Sequence, residues 1–496
     1  MPSGCWGCDA VSSSRDVSWL PAAHRGSQWS ALKVTVAGLA LSGFAAADAL
    51  QHLGAQVTVL ANSTDGETLE KAKLLEILGV DVRLEEDQEA AFPVEVDLVV
   101  TSPGISPSAP LLRLAAGRDI PIWGDVELAW RLRAPQSPPP WLCLTGTNGK
   151  TTTVQMLDAI LRADGLLSVA AGNVGVPMCE VVMSPEPLDV VAVELSSHQL
   201  HWISSMSAHS AAVLNVAPDH LSWHGDFDRY SEAKAKIYER CQVSCVYNVD
   251  DPVTQRMVEE AEVIEGARAI GFTLGVPSVG MVGVVDDVLA DRAFIEGRDR
   301  NAAELARVVD VPTGAPHNVS NALAAAALAR SHGVSAGAVR RGLQGFELDR
   351  HRIAEVATVH GIVYVDDSKA TNPHAALASL QSFSSVVWVA GGLAKGATFD
   401  DLVESSVDRL RGAVLLGADR SAVAEALARH APDVPVIEVA DTDTGAMERV
   451  VTAAATLARP GDTVLLAPAC ASQDMFASYA ARGDAFAAAV QSLAGR

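Results

Sequence analysis

A short loop between an apolar run and a helical segment constrains this chain more than any other feature. Residues 145–152 read Thr-Gly-Thr-Asn-Gly-Lys-Thr-Thr. The apolar residues 141–144 before them predict a buried strand, and residues 154–161 predict a helix. In such a unit, backbone N–H groups and the helix N-terminus face an anion, Lys150 adds a positive charge, and the Thr151 hydroxyl is placed for Mg²⁺.

This loop predicts a site for a nucleoside triphosphate. Its sequence departs from the commonest phosphate loop, since Leu144 stands where a glycine is usual. The alternative is a glycine-rich turn with a surface lysine, which the strand-to-helix setting disfavours. The residues predicted to surround the phosphates are Gly146, Thr147, Asn148, Gly149, Lys150, Thr151 and Thr152.

The composition is typical of a globular protein that handles small molecules. Its 496 residues predict two to four domains. The net charge of −23 disfavours binding to nucleic acid or anionic membranes, so local cations must hold a nucleotide. No apolar run reaches the roughly 20 residues of a membrane helix, which predicts no membrane insertion. Seven cysteines without a secretory signal favour the cytoplasm, and we expect a monomer.

Short β-branched runs alternate with helical segments from Lys33 onward, which predicts an α/β fold of three domains. The first and third are expected to be Rossmann-like, and the second to be a P-loop ATPase-like domain with a mostly parallel sheet. Residues 134–140 are rich in proline and predict a linker. The predicted ranges are 1–30 for a flexible extension, 31–136, 137–346 and 347–496. The pair Cys5 and Cys8 in the extension is interpreted as having no redox or metal role.

The first domain carries Gly-Leu-Ala-Leu-Ser-Gly at residues 38–43, after its first strand. This segment resembles a dinucleotide fingerprint. An NAD site would need an acidic residue at the end of the next strand, and Ala61 and Asn62 stand there. The sequence therefore favours an anion site over a nicotinamide cofactor.

Polar residues follow several other predicted strands, where open α/β sheets bind ligands. Glu194 follows residues 190–193 and is a candidate Mg²⁺ ligand, with helix capping as the alternative. His220 follows another strand, together with Asp219. The other histidines of this region are interpreted as bystanders: His198, His201, His209 and His224.

Three further polar segments follow strands of the third domain, at residues 366–373, 390–396 and 467–472. Their cations favour an anionic substrate. Asn318 and Asn321 open an alanine-rich helix, where capping and ligand binding fit equally well. The residues around Lys234 do not distinguish it from any other lysine on a solvated helix face.

Taken together, these residues resemble the Mur ligases, ATP-dependent amide-forming enzymes of peptidoglycan precursor synthesis. The resemblance covers the chain from about Lys33 to the C-terminus. The phosphate loop and the His-Asn-x-x-Asn segment at 317–321 are shared with sister ligases and with folylpolyglutamate synthetases. The segments at 367–372 and 468–474 are typical of the glutamate-adding member.

The resemblance implies a role for each matching residue. Lys150, His220 and Lys234 would be catalytic, with Lys234 carried as a carbamate. Two Mg²⁺ ions would be held by Thr151, Glu194, His220 and the carbamylated Lys234. Beyond the phosphate loop, ATP would contact Asn318, Asn321, Arg352 and Asp367. The substrates would contact Leu41, Ser42, Ser102, Asn173, Lys369, Thr371, Lys395, Ser472 and Tyr479. The family more often has Phe at the Tyr479 position, and Ala61 and Asn62 depart from its usual uracil-binding pair.

The implied small-molecule substrates are UDP-N-acetylmuramoyl-L-alanine, D-glutamate and ATP, joined through an acyl phosphate. Another Mur-type ligase or a folylpolyglutamate synthetase is the alternative within the superfamily. Two other classes compete: an NAD(P)-dependent oxidoreductase, which leaves the phosphate loop unexplained, and a P-loop switch protein without ligase activity.

Overall fold

The computed structural model describes residues 17–85, 87–441 and 445–495. In this part of the chain the strands form sheets of five, nine and six strands, most of them parallel. The predicted α/β class is therefore confirmed. Each sheet lies within one of the three predicted domain ranges, while the exact domain boundaries stay a prediction.

The first sheet is parallel throughout, with the order β3-β2-β1-β4-β5. Its strands are β1 Lys33–Ala37, β2 Gln56–Ala61, β3 Asp81–Leu84, β4 Leu98–Thr101 and β5 Ile122–Gly124. The helices that connect and follow them are α1 Leu41–His52, α2 Gly66–Ile77, α3 Gln88–Ala91, α4 Pro110–Gly117 and α5 Asp125–Leu132. Because helices cover both faces, the central strands are buried almost completely.

The central sheet has the order β14-β13-β12-β11-β10-β9-β6-β8-β7. It is parallel from β7 to β12 and ends in an antiparallel meander. Its strands are β6 Trp141–Thr145, β7 Ser168–Gly172, β8 Val190–Glu194, β9 Ser210–Val213, β10 Ser244–Asn248, β11 Arg268–Phe272, β12 Met281–Val285, β13 Val288–Asp291 and β14 Ala303–Arg307. Its helices are α6 Lys150–Ala163, α7 Met178–Met183, α8 Ser197–His201, α9 Leu221–His224, α10 Phe227–Ala235, α11 Pro252–Glu259, α12 Pro316–Ser331 and α13 Ala336–Gln344.

The third sheet has the order β15-β16-β20-β17-β18-β19, and only the β15–β16 pair of it is antiparallel. Its strands are β15 Ala354–Val359, β16 Ile362–Asp366, β17 Val386–Gly391, β18 Leu410–Leu416, β19 Val436–Glu438 and β20 Thr463–Leu466. Its helices are α14 Pro373–Leu380, α15 Asp400–Glu404, α16 Arg420–His430, α17 Ala446–Leu457 and α18 Tyr479–Ala494.

The first and central sheets share one apolar core. This core runs from Leu20 to Met257 and includes the edge-to-face contact of Trp130 with Trp141. Buried Glu127 adds a polar connection, because it accepts hydrogen bonds from the backbone and hydroxyls of Ser204 and Ser205. The two described cores of the third sheet contain only residues from 353 onward. The third sheet is thus packed independently of the other two.

Residues 17–30 differ from the prediction of a flexible extension. Leu20 and Trp29 are almost fully buried, and Trp29 stacks edge-to-face on Trp123. The prediction is wrong for this segment because its few large apolar residues pack against the first sheet. The pair Cys5 and Cys8 lies outside the described residues. Among the residues described, no helix combines the length and apolar character needed to cross a membrane.

Candidate active site

The predicted phosphate loop lies in a cleft between the central and third sheets, with a volume of about 380 Å³. Strands β6, β8, β9 and β16 all end at this cleft, as strand ends do in open α/β sheets. The cleft brings together most of the predicted ATP and metal residues: Thr147, Asn148, Gly149, Lys150, Thr151, Thr152, Glu194, His220, Asn318, Asn321, Arg352 and Asp367. It also contains Asn173, Lys369 and Thr371.

Gly149 shapes the loop between β6 and α6. Its φ of 81° lies in the left-handed region, and a Cβ there would stand 2.3 Å from Asn321 Oδ1. Lys150 begins α6, and its Nζ atom donates to the carbonyl oxygens of Gly146 and Thr147, each at 2.9 Å. The lysine is thus held over the loop, next to the N-terminus of a helix that favours an anion.

Asn215 fixes the loop from the end of β9, and sequence analysis did not select it. Its Oδ1 atom accepts from the backbone N–H of Asn148 at 2.9 Å, and its Nδ2 atom donates to the carbonyl oxygen of Asn148 at 3.1 Å. The position after a strand was the only available signal, since the partner is 67 residues away.

Glu194 ends β8 and is 1% exposed. Its Oε1 atom accepts from Asn173 Nδ2 at 2.9 Å, and its Oε2 atom has no hydrogen-bond partner among the described residues. Gly172, with φ of 112°, allows this approach because a Cβ there would stand 2.2 Å from the Glu194 carbonyl oxygen. Glu194 is not a helix cap, since Ser196 caps the following helix. A buried carboxylate oxygen without a partner fits a divalent cation.

His220 precedes α9 with φ of 53°, a left-handed conformation that is uncommon outside glycine. Burial lowers its pKa and outweighs the opposite effect of Asp219, while Lys150 lowers the pKa further. The neutral imidazole is the form that binds metals. His198, which the sequence analysis interprets as a bystander, lies against His220 with ring centroids 4.6 Å apart. His224 stacks on His198 in the same aromatic cluster.

Lys234 lies beneath the phosphate loop and is 1% exposed. Its Nζ atom donates to the carbonyl oxygen of Gly146 at 2.8 Å and to Thr145 Oγ1 at 3.4 Å. Burial lowers its pKa well below the ordinary value, and the charge of Lys150 lowers it further. Tyr230 supports this arrangement, because its ring faces Lys234 and its hydroxyl lies 2.9 Å from Thr147 Oγ1.

Asn318 and Asn321 lie inside α12, whose N-cap is Ala315. The capping alternative is therefore wrong. Asn318 Nδ2 donates to Thr313 Oγ1 at 3.0 Å. Both asparagines face the cleft, one turn apart on the buried helix.

The third sheet contributes a second group of predicted residues. Asp367 is buried and accepts from Ser379 Oγ, and burial raises its pKa to about 6. Lys369 Nζ lies 4.0 Å from the centroid of the Tyr479 ring. Ser472 is buried, and its hydroxyl lacks a partner among the described residues. Lys395 has a left-handed φ of 51° and acts electrostatically on His220. Neither Lys395, Ser472 nor Tyr479 lines the cleft itself.

A second cavity, of about 1000 Å³, lies at the carboxyl ends of the first sheet. It contains the predicted substrate residues Leu41, Ser42 and Ser102, together with Ala61 and Asn62. Asn173 and Val174 line both cavities. The two cavities therefore meet at Asn173, beside Glu194.

Comparison with known proteins agrees with this architecture. The model of the Mur ligase middle domain matches residues 144–329, and that of the Mur ligase glutamate ligase domain matches residues 351–470. The UDP-N-acetylmuramoylalanine–D-glutamate ligases of Streptomyces avermitilis and Streptomyces coelicolor are 58% and 59% identical to this chain, over 94% of its length and 99% of theirs.

Among solved structures, the UDP-N-acetylmuramate-alanine ligase MurC of Thermotoga maritima has a similar fold. Its TM-score is 0.56 at 18% identity, and the match covers 93% of this chain and 100% of that chain. The domain matches together span more than half of the sequence, and the curated relatives are aligned over nearly all of it. The chain belongs to the Mur ligase family.

Proposed function

We propose that this protein joins UDP-N-acetylmuramoyl-L-alanine to D-glutamate with ATP, giving ADP and phosphate, in peptidoglycan precursor synthesis. The observation that carries the proposal is the meeting of two cavities at Asn173. The first-sheet cavity, of about 1000 Å³, has room for a nucleotide sugar, and Asn173 and Val174 line both this cavity and the cleft of the phosphate loop. An acyl donor bound there would place its carboxylate beside a bound triphosphate. The names of the two Streptomyces relatives support the choice of substrates.

The residues of the cleft suit this reaction. A carboxylate is a poor acyl donor, so phosphorylation by ATP first converts it to an acyl phosphate. The amine of the incoming amino acid then attacks the acyl carbon, and the tetrahedral intermediate releases phosphate. Several anions must come together, although the chain carries a net charge of −23. Lys150, Arg352 and Lys369 supply local positive charge in the cleft, and fixed charges in a water-poor site stabilise such transition states strongly.

We propose two Mg²⁺ sites. Thr151 and Glu194 would hold one ion, and His220 with a carbamate on Lys234 would hold the other. The partnerless Oε2 atom of Glu194 fits such a ligand role. No group of three or more His, Cys, Asp or Glu side chains that could hold a metal occurs among the described residues. Mg²⁺ keeps several waters and takes few protein ligands besides substrate phosphates, so the proposed sites do not need such a group. When bound, Mg²⁺ would neutralise the phosphate oxygens.

The proposed carbamate fits the surroundings of Lys234. An amine must lose its proton before it reacts with CO₂, and burial favours that neutral form. The product is an anion on a long side chain, whereas an ammonium group would repel a metal ion. Lys150 lies close enough to Lys234 to affect its pKa, so it would also favour the carbamate.

On the third-sheet side, we propose that Asn318, Asn321, Arg352 and Asp367 contact the nucleotide. Lys369, Thr371, Lys395, Ser472 and Tyr479 would bind the amino acid. The partnerless hydroxyl of Ser472 supports this assignment. Lys395, Ser472 and Tyr479 do not line the nucleotide cleft itself, so we propose that the amino-acid site extends beyond it.

We place this activity in the cytoplasm, where it would serve cell-wall synthesis during growth and division. The described cysteines are all free thiols, as a reducing compartment predicts. A monomeric state is part of the proposal, and light scattering on the purified protein tests it.

Product analysis tests the proposed function. The protein is incubated with Mg²⁺-ATP and UDP-N-acetylmuramoyl-L-alanine, with D-glutamate, L-glutamate or neither. We expect phosphate release that requires both UDP-N-acetylmuramoyl-L-alanine and D-glutamate, and a product whose mass equals that of their amide. Phosphate release that is unchanged when UDP-N-acetylmuramoyl-L-alanine is omitted would contradict the proposal. A panel with other amino acids and folates separates it from the related ligases.

A further inference from the structure

A side-chain amide of the phosphate loop is held by the third domain. The Nδ2 atom of Asn148 lies 2.9 Å from His374 Nδ1, and its Oδ1 atom accepts from Asn372 Nδ2 at 3.1 Å. Both polar atoms of this amide therefore have partners on the far side of the cleft. Since the Asn148 amide donates to the ring, Nδ1 of His374 must carry no proton in this arrangement.

The backbone of Asn148 does not depend on these contacts. Asn215 from β9 holds the N–H and the carbonyl oxygen of Asn148 within the central domain. The loop can thus keep its shape while its side chain gains or loses partners in the third domain. A contact of this kind affects the position of the third domain more than the shape of the loop.

The partners of Asn148 belong to the first turn of α14. Asn372 is the N-cap of this helix, because its Oδ1 atom accepts from the Ala375 N–H at 2.9 Å. Lys369 and Thr371, the residues proposed to bind the amino acid, lie directly before it. Because Thr371 is one residue and Lys369 three residues before Asn372, a movement of Asn372 also moves this binding segment.

Little else in the described structure holds the third domain at this edge of the cleft. Its two apolar cores share no residue with the cores of the other sheets. Gln155 bonds to Asp349 at 2.8 Å, but Asp349 lies in the connection before β15. The two hydrogen bonds of Asn148 are therefore a main contribution to holding the third domain against the phosphate loop, which we call the closed arrangement.

We propose that Asn372 and His374 are positioning residues that couple the phosphate loop to the amino-acid site. The inference rests on the proposed function. By holding Asn148, they keep the third domain closed and place Lys369 and Thr371 for the incoming amino acid. Neither residue touches the reacting atoms in this role. Loss of the contact weakens binding of the amino acid and leaves nucleotide binding to the open protein unchanged.

The variant Asn372→Asp tests the contact without removing the helix cap. Its carboxylate still accepts from Ala375, but it presents an oxygen to Asn148 Oδ1 in place of a donor. His374→Ala removes the second partner, and His374→Asn restores an acceptor at a similar place. The matched control is Gln381→Ala, an exposed residue at the other end of the same helix.

Steady-state kinetics at saturating ATP and UDP-N-acetylmuramoyl-L-alanine give KM for D-glutamate. We expect a rise of roughly 3- to 10-fold for Asn372→Asp and for His374→Ala, since each loses one net hydrogen bond. His374→Asn and Gln381→Ala should stay within about twofold of the wild type. Calorimetry with Mg²⁺-ADP alone should give the same Kd for all variants. The Tm of Asn372→Asp should equal that of the wild type, because this variant keeps the helix cap.

The proposal is overturned if the wild type ligates but Asn372→Asp and His374→Ala keep its KM for D-glutamate. If the wild type does not ligate, the proposed function fails separately. Small-angle X-ray scattering with a non-hydrolysable ATP analogue then decides the coupling: compaction of the wild type but not of Asn372→Asp supports it, and equal compaction of both refutes it.

Discussion

Lys150 and Lys234 donate to the same acceptor, the carbonyl oxygen of Gly146, at 2.9 and 2.8 Å. Two ammonium groups that share one acceptor repel each other, and the more deeply buried group loses its proton more easily. Burial lowers the pKa of Lys234 most, and Lys150 lowers it further. Burial also lowers the pKa of Lys150, and the carboxylates of Glu194 and Asp219 oppose burial at both lysines, but the pKa of Lys234 is lowered further. Of the two lysines, Lys234 is therefore the one that more readily offers a neutral amine.

The first prediction concerns the carbamate on Lys234. Lys234→Ala should lose at least about 100-fold in ligation rate, because the site loses a preorganised charged group. Formate or acetate should restore part of the activity by occupying the place of the carbamate. The same acids should not restore Lys150→Ala, whose missing group is a cation. Equal rates for Lys234→Ala with and without the acids would contradict the carbamate.

The second prediction concerns the charge of Lys150. Lys150→Ala should lower kcat by roughly 100- to 1000-fold, as expected when a group that stabilises transition-state charge is removed. Within the described part of the chain, the Lys150 side chain donates only to carbonyl oxygens of its own loop, so the thermal unfolding temperature should change little. The matched control is Lys73→Ala, an exposed lysine of α2. Wild-type turnover in Lys150→Ala would refute the assignment of the phosphate loop.

The third prediction concerns Glu194 as a metal ligand. Glu194→Gln keeps an oxygen that can accept from Asn173 and replaces the partnerless Oε2 atom with an amide nitrogen, which cannot bind Mg²⁺. The Mg²⁺ concentration for half-maximal ligation should rise by at least about 10-fold, as a lost carboxylate ligand predicts. A metal titration of the ligation rate measures this directly. An unchanged midpoint would assign Glu194 to a purely structural role.

The sequence predicts those site residues whose chemistry follows a local pattern. Glycine spacing locates the phosphate loop, and the position after a strand locates Glu194 and His220, because parallel strands bring their carboxyl ends together. Lys234 cannot be found this way, since its burial depends on α10 folding beneath a loop more than 80 residues away. Asn215 acts through a similarly distant partner. The packing of Trp29 was missed because composition does not show which apolar residues of a polar segment meet a core.

The last prediction concerns Asp125, a buried carboxylate that begins α5 between the first and central sheets. Gln199 Nε2 donates to its Oδ2 atom at 3.1 Å, but burial dominates and raises its pKa to about 6. The folded protein therefore holds a proton that the unfolded chain has already released between about pH 4 and pH 6. In this range the contribution of Asp125 to stability falls as the pH rises, and it is constant above about pH 6.

The side chain of Asp125→Asn cannot titrate. The free energy of unfolding of this variant should therefore rise relative to that of the wild type between about pH 4 and pH 6. The gain should reach at most about 3 kcal/mol above pH 6 and should be smaller at pH 5. Urea titrations of both proteins at pH 5 and pH 7.5 measure the difference. Asp48→Asn removes an exposed carboxylate of α1 and serves as the control for the loss of one negative charge. A gain that is equal at both pH values would mean that Asp125 is ionised in the folded protein throughout, and that Gln199 and the helix N-terminus outweigh its burial.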